Sequence, residues 1–209
     1  MLSRVMPANA HNFRHANGLA LGLLVVLCPH AASAHIGEHL DSGLTSGLMH
    51  PVFGLDHLLA MVSVGVVSVQ LGGHNIWRIP AAFVAAMIAG GMLGIARIPV
   101  PHPEIGIAVS VVVLGMSIVF ADMRMSPWPI TALVIFFGAL HGYAHGVEIP
   151  TFASPALYTL GFVLSTATLH LFGVVIGELA SLQTWLWKGL RLSGGAVAAV
   201  GVAFIIQNL

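Results

Sequence analysis

The sequence predicts an all-α membrane protein, a signal peptide followed by a bundle of about six transmembrane helices. Three observations carry this. Only seven basic and seven acidic residues occur in 209, or 7% charged, where soluble domains carry about 25%. Hydrophobic residues make up 57% and the mean hydropathy is +0.96. The apolar runs are long and are divided by Pro, Gly and the few charges, without the ten-residue dyad alternation of a membrane barrel. Disorder is excluded by the same composition, and a net formal charge of zero leaves no basic footprint for nucleic acid.

Residues 1–34 read as a targeting segment. Arg4 and Arg14 supply a basic start, Leu19 to Cys28 a short apolar core, and Ala32-Ser33-Ala34 a small-residue cleavage site. The core is about ten residues, too short for a hydrocarbon layer that needs roughly 20. Leu27 stands before Cys28 where a lipoprotein signal wants a small residue. Cleavage after Ala34 removes Cys28, the single cysteine, and leaves nitrogen, oxygen and thioether ligands for the mature chain, 35–209. It also exposes His35 as a new amino terminus, whose amine and imidazole can chelate one ion together. Glu38, His39 and Asp41 follow.

Helices are expected near 51–71, 77–96, 104–121, 129–147, 155–177 and 190–207. Six spans put both mature ends on one side, outside the cytoplasm when the signal is cleaved. The cytoplasmic loops then hold Arg78, Arg124, Lys188 and Arg191, and the outer ones only Arg97, in line with the positive-inside rule. Gly138, Gly142 and Gly146, and Gly90 and Gly94, recur every fourth residue, the spacing that lets membrane helices approach closely.

Histidine stands out against this background: it occurs 12 times. Ionisable groups inside a span are costly and mark function. The first span begins His50-Pro51 and continues through Gly54, Asp56, His57 and Met61. On one continuous helix, with Pro51 in its first turn, His50, His57 and Met61 fall within about 40°. Asp56 points roughly 100° away, placed to complete a site or to orient a ligand on a neighbouring helix. The fourth span ends with His141, His145 and Glu148, within about 60° on one face, a nitrogen–nitrogen–oxygen half-site for a divalent transition metal. The fifth holds His170 at mid-membrane depth, beside Ser165, Thr166 and Thr168. Imidazole and carboxylate suit Ni²⁺, Co²⁺ or Zn²⁺ better than Mg²⁺ or Ca²⁺. The candidate ligands are therefore His50, Asp56, His57, His141, His145, Glu148 and His170, with His35 and His39 as an outer collector that His102 and Glu104 can join.

The motif His-Pro-x-x-Gly-x-Asp-His-x-x-x-Met at 50–61 resembles the signature of the HupE/UreJ family of nickel and cobalt permeases. So do His-Gly-x-Ala-His-Gly-x-Glu at 141–148, the Ser-Thr-x-x-Leu-His-x-x-Gly stretch at 165–173, and a signal peptide running directly into Ala34-His35. The resemblance implies a bacterial inner-membrane uptake protein that carries Ni²⁺ or Co²⁺ as transported ion and holds no organic cofactor. The related nickel/cobalt permease superfamily carries His-x4-Asp-His; here five residues separate His50 from Asp56. Two other classes compete. An intramembrane metallohydrolase needs an open metal and a general base, and no His-Glu-x-x-His occurs. A b-type haem protein could use His57, His141 and His170 as axial ligands, but Asp56 and Glu148 are unwelcome beside a haem.

Overall fold

A computed structural model describes residues 43–150 and 153–209. The expected signal peptide and the leader with His35 and His39 lie outside the described residues. Among those described, all regular structure is helical: α1 (Gly43–Phe53), α2 (Leu55–Leu71), α3 (Asn75–Ile95), α4 (Pro103–Phe120), α5 (Trp128–Val147), α6 (Pro155–Ser181) and α7 (Thr184–Gln207). The last five are each long and apolar enough to cross a membrane.

The first expected span is not one helix from 51 to 71. It is α1 and α2, bent by 79°. Pro51 sits inside α1, not in the first turn of a longer helix. Its missing N–H and its ring weaken the helix there. Gly54 then leaves helical geometry, with φ −76° and ψ 103°. The break is short: the Gly54 N–H still donates to the His50 carbonyl at 3.1 Å, and the Leu58 N–H donates to the Gly54 carbonyl at 2.8 Å. The contacts on α6 run in one direction through the bent pair, as in a broken span. Gly43 lies against Ser154, Gly47 against Tyr158, Gly65 against His170 and Val69 against Gly177. The chain advances along α6 without turning back, as a re-entrant hairpin would. Counting the bent pair as one gives six spans.

The other expected spans fall within a few residues of the helices, except that α7 starts at Thr184 instead of near 190. Lys188 and Arg191 suggested a loop. They lie on the first turns of that helix, Lys188 exposed and Arg191 half-buried. Arg191 Nη2 donates to the Ala121 carbonyl at 2.8 Å, tying α7 to the end of α4.

Glycine sorts the helices into tight pairs. On α3 and α5, Gly90 meets Ala139, Gly94 meets Tyr143, and Gly138, Gly142 and Gly146 meet Phe83, Met87 and Gly91. A Cβ at Gly142 would collide with the Met87 carbonyl, so a glycine is needed for the two backbones to approach this closely. Gly115 and Gly194 join α4 to α7, and Gly173 joins α6 to α2. Phe83, Met61, Met87, Ile79 and Leu114 fill the interior, while Phe136, Phe172 and Leu179 face outward, as expected of a bundle solvated by lipid.

The two ends of the bundle differ. Arg78, Arg124, Lys188 and Arg191 lie at one end, with the exposed Trp77, Trp128 and Trp185, the composition of a membrane–water interface. The opposite end holds Arg97, Glu148 and the start of α1. There the Val100 N–H donates to Tyr143 Oη at 3.2 Å, tying the α3–α4 loop to α5.

Candidate metal site

The broken span and the last turns of α5 bring five candidate ligands into a file. His50 Nε2 and Glu148 Oε2 lie 3.3 Å apart at the rim, with side chains 36% and 50% exposed. The His50 ring is 4.6 Å from that of His145, His145 is 4.6 Å from His57, and His57 is 5.0 Å from His141, centroid to centroid. Only the rim is open: His145 and His57 are buried, and His141 is wholly enclosed. The file crosses between two elements at every step, from α1 or α2 to α5 and back.

Two of these imidazoles are oriented by a partner. Asp56 Oδ1 lies 2.7 Å from His57 Nδ1 and also accepts the His57 backbone N–H at 2.8 Å. An ionised carboxylate only accepts, so Nδ1 carries the proton and Nε2 presents its lone pair. Asp56 thus orients its own chain neighbour, not a ligand on another helix. The helix break makes this possible: a Cβ at Gly54 would stand 3.1 Å from His57 Nδ1 and 3.3 Å from Asp56 Oδ1. His141 Nδ1 lies 2.8 Å from the Phe137 carbonyl, which likewise only accepts and leaves Nε2 with a lone pair. The Nε2 atoms of His57 and His141 and both nitrogens of His145 are buried without a hydrogen-bond partner. Orphaned buried polar atoms are costly. A bound cation would satisfy the nitrogens that carry a lone pair, one on each ring.

One ligand set closes around a point. One nitrogen each from His50 and His145 and an oxygen of Glu148 all lie within 4.8 Å of one another. A tetrahedral ion with ligands near 2.1 Å sets them roughly 3.5 Å apart, so a small inward movement completes three positions. Of the three residues expected to act together, His145 and Glu148 face His50, His145 and His141 both face His57, and His141 lies one turn deeper. His170 stands apart. Phe83 lies between it and His141, with ring distances of 5.1 and 5.5 Å. His102, at the N-cap of α4, and Glu104 are both exposed at the rim end, outside this cluster.

Sequence reasoning passed over two neighbours. Tyr158 sets its ring 6.3 Å from His50, and its buried hydroxyl has no partner. A tyrosine in an apolar helix was the available signal. Phe83 carried none, because one phenylalanine in such a helix looks like any other. Beside His145 is a cavity of about 70 Å³, lined by Gly91, Gly142, Gly146, Tyr158 and Phe162, with room for a water or two.

A family profile described as HupE / UreJ protein matches residues 23–204. The chain belongs to the HupE/UreJ family. Among curated relatives, the protein HupE of Rhizobium leguminosarum bv. viciae is 40% identical over 185 residues, covering 88% of this chain and 95% of that one. No solved structure matches. The HupE/UreJ match spans α1 to α7 almost entirely, so the broken first span and the histidine file both fall inside the family region.

Proposed function

We propose that this chain is a permease for a divalent transition-metal ion, Ni²⁺ or Co²⁺, in the bacterial inner membrane. The observation that carries this is the file itself: a rim triad of half-buried His50, buried His145 and exposed Glu148, continuous with the buried imidazoles of His57 and His141, whose Nε2 atoms have no hydrogen-bond partner. A permease needs ligands strong enough to replace water and numerous enough to pass the ion on. Here each step is about 5 Å between rings, so an ion can exchange one ligand before it loses the last. The rim opens at the charge-poor end, which the positive-inside rule sets outside the cytoplasm. That orientation suits uptake. It also puts the new amino terminus at His35, after signal cleavage, on the entry side.

A hydrolytic metal centre gains less support: the rim triad would leave a coordination position open, but the histidines continue from it into the buried interior, which a hydrolytic site does not need. A haem gains none. Carboxylates of Asp56 and Glu148 stand in the same file, and Phe83 fills the gap between His141 and His170.

The test is metal accumulation by cells expressing the chain, with competing ions. Ni²⁺ or Co²⁺ should accumulate, and His57→Ala, His141→Ala and His145→Ala should each abolish uptake while membrane abundance stays near normal. Equal loss of protein in every variant would instead make the file a structural polar network.

A further inference from the structure

Helix contacts give the depth of each residue below the rim. Gly91, Gly146 and Phe162 share one level, the level of His145. One turn deeper, Met87 of α3 meets Gly142 of α5 and Thr166 of α6, and Thr166 meets Met61 of α2. A further turn down come Phe83, Gly138, Gly65 and His170. The middle level therefore gathers side chains from four helices around one axis, directly below the His57–His145 pair.

The chemistry of that level differs from the rim. Thr166 Oγ1 lies 3.3 Å from Met61 Sδ and 3.6 Å from Met87 Sδ, and all three residues are buried to 1% exposure or less. One hydroxyl proton serves one sulfur at a time, so two thioethers converge on a single donor. His141, whose buried Nε2 has no partner, bridges this level: its ring touches His57 above and Phe83 below. Phe83 closes the floor.

We propose that Met61, Met87, Thr166 and His141 form a second, sulfur-bearing metal site, one turn below the histidine pair. This rests on the permease reading above and assigns selectivity to a different part of the path. Thioethers are soft and uncharged. They bind late transition-metal ions and offer almost nothing to Mg²⁺ or Mn²⁺. The rim triad, with its carboxylate, admits a broad range of divalent ions, and the sulfur level passes only those that accept thioether ligands.

The test uses the full chain in detergent micelles, with Co²⁺ as an optical probe. Wild type should show a near-ultraviolet sulfur-to-cobalt charge-transfer band beside the visible bands of nitrogen and oxygen ligation. The Met61→Leu/Met87→Leu variant, which conserves side-chain volume, should lose the first and keep the second. In cells, excess Mn²⁺ should inhibit Ni²⁺ uptake several-fold more in this variant than in wild type. If the double variant does not accumulate, the single variants carry the test, each with a weakened band. Absence of the band from wild type, or unchanged Mn²⁺ competition in an abundant variant, overturns the sulfur site. The two readings fail separately. Normal uptake in His145→Ala removes the permease path, whereas indifference to the methionines removes the sulfur level alone.

Discussion

The two halves of the candidate site are built on opposite principles. His141 and His145 stand on α5, an unbroken helix pressed against α3 through Gly138, Gly142 and Gly146. His50 and His57 stand on either side of a 79° break, beside Pro51 and Gly54. The α5 ligands are fixed by backbone contact that leaves no room for a methyl group. Those of α1 and α2 are aimed by a bend and by one carboxylate, Asp56. A metal path needs both: one wall that holds its geometry and another that can adjust as ligands exchange.

The largest effect that would break this contrast belongs to His145, the residue shared by the rim triad and the buried pair. His145→Ala should lower initial Ni²⁺ or Co²⁺ uptake by more than about 100-fold, beyond what loss of an orienting partner gives. A smaller loss would mean that the two ligand sets act independently. Next is Asp56→Asn, which keeps the shape but removes the carboxylate that fixes the His57 tautomer. Metal affinity measured by equilibrium titration should fall about 10- to 100-fold, with membrane abundance unchanged.

Two alanines sharpen the comparison further. Gly142→Ala pushes a methyl group into the Met87 carbonyl and should cost about 1–3 kcal/mol, seen as reduced abundance and a lower unfolding midpoint in detergent. Gly54→Ala crowds only the side chains of His57 and Asp56, meets the His50 carbonyl at an ordinary 3.5 Å, and at φ −76° the backbone tolerates it. It should leave abundance near normal and lower uptake several-fold by crowding Asp56 and His57. Equal abundance in the two would erase the distinction between a rigid and an adjustable wall. The smallest effect concerns the leader. Replacing His35 and His39 should raise the half-saturating ion concentration with little change in maximal rate. A collapse of the maximal rate would put those residues in the path itself.

Composition settled the membrane class, because 7% charge cannot cover a water-exposed surface. The glycine spacing on α3 and α5 foretold their contact, and the apolar runs located most helix ends to within a few residues. Periodicity failed at 50–57. It treats a run as one straight helix, and nothing in a 100° rotation per residue says that a proline inside one segment and a glycine after it will turn the axis. The same angular reading put His141, His145 and Glu148 on one face as a half-site, and nothing in it says that His50 lies beside His145 and Glu148 or that His57 lies against both His145 and His141. Which imidazole faces which depends on what stands on the next helix, and that is a tertiary fact. So are the Asp56–His57 pair at 2.7 Å, Phe83 between His141 and His170, and the two methionine sulfurs on Thr166. The sequence by itself determined the candidate ligands and their helices, since ionisable residues stand out in an apolar run. The tertiary structure decided their order, because depth and facing come from the register between helices, set here by glycine contacts up to 117 residues apart in the chain, as between Leu44 and Gly161.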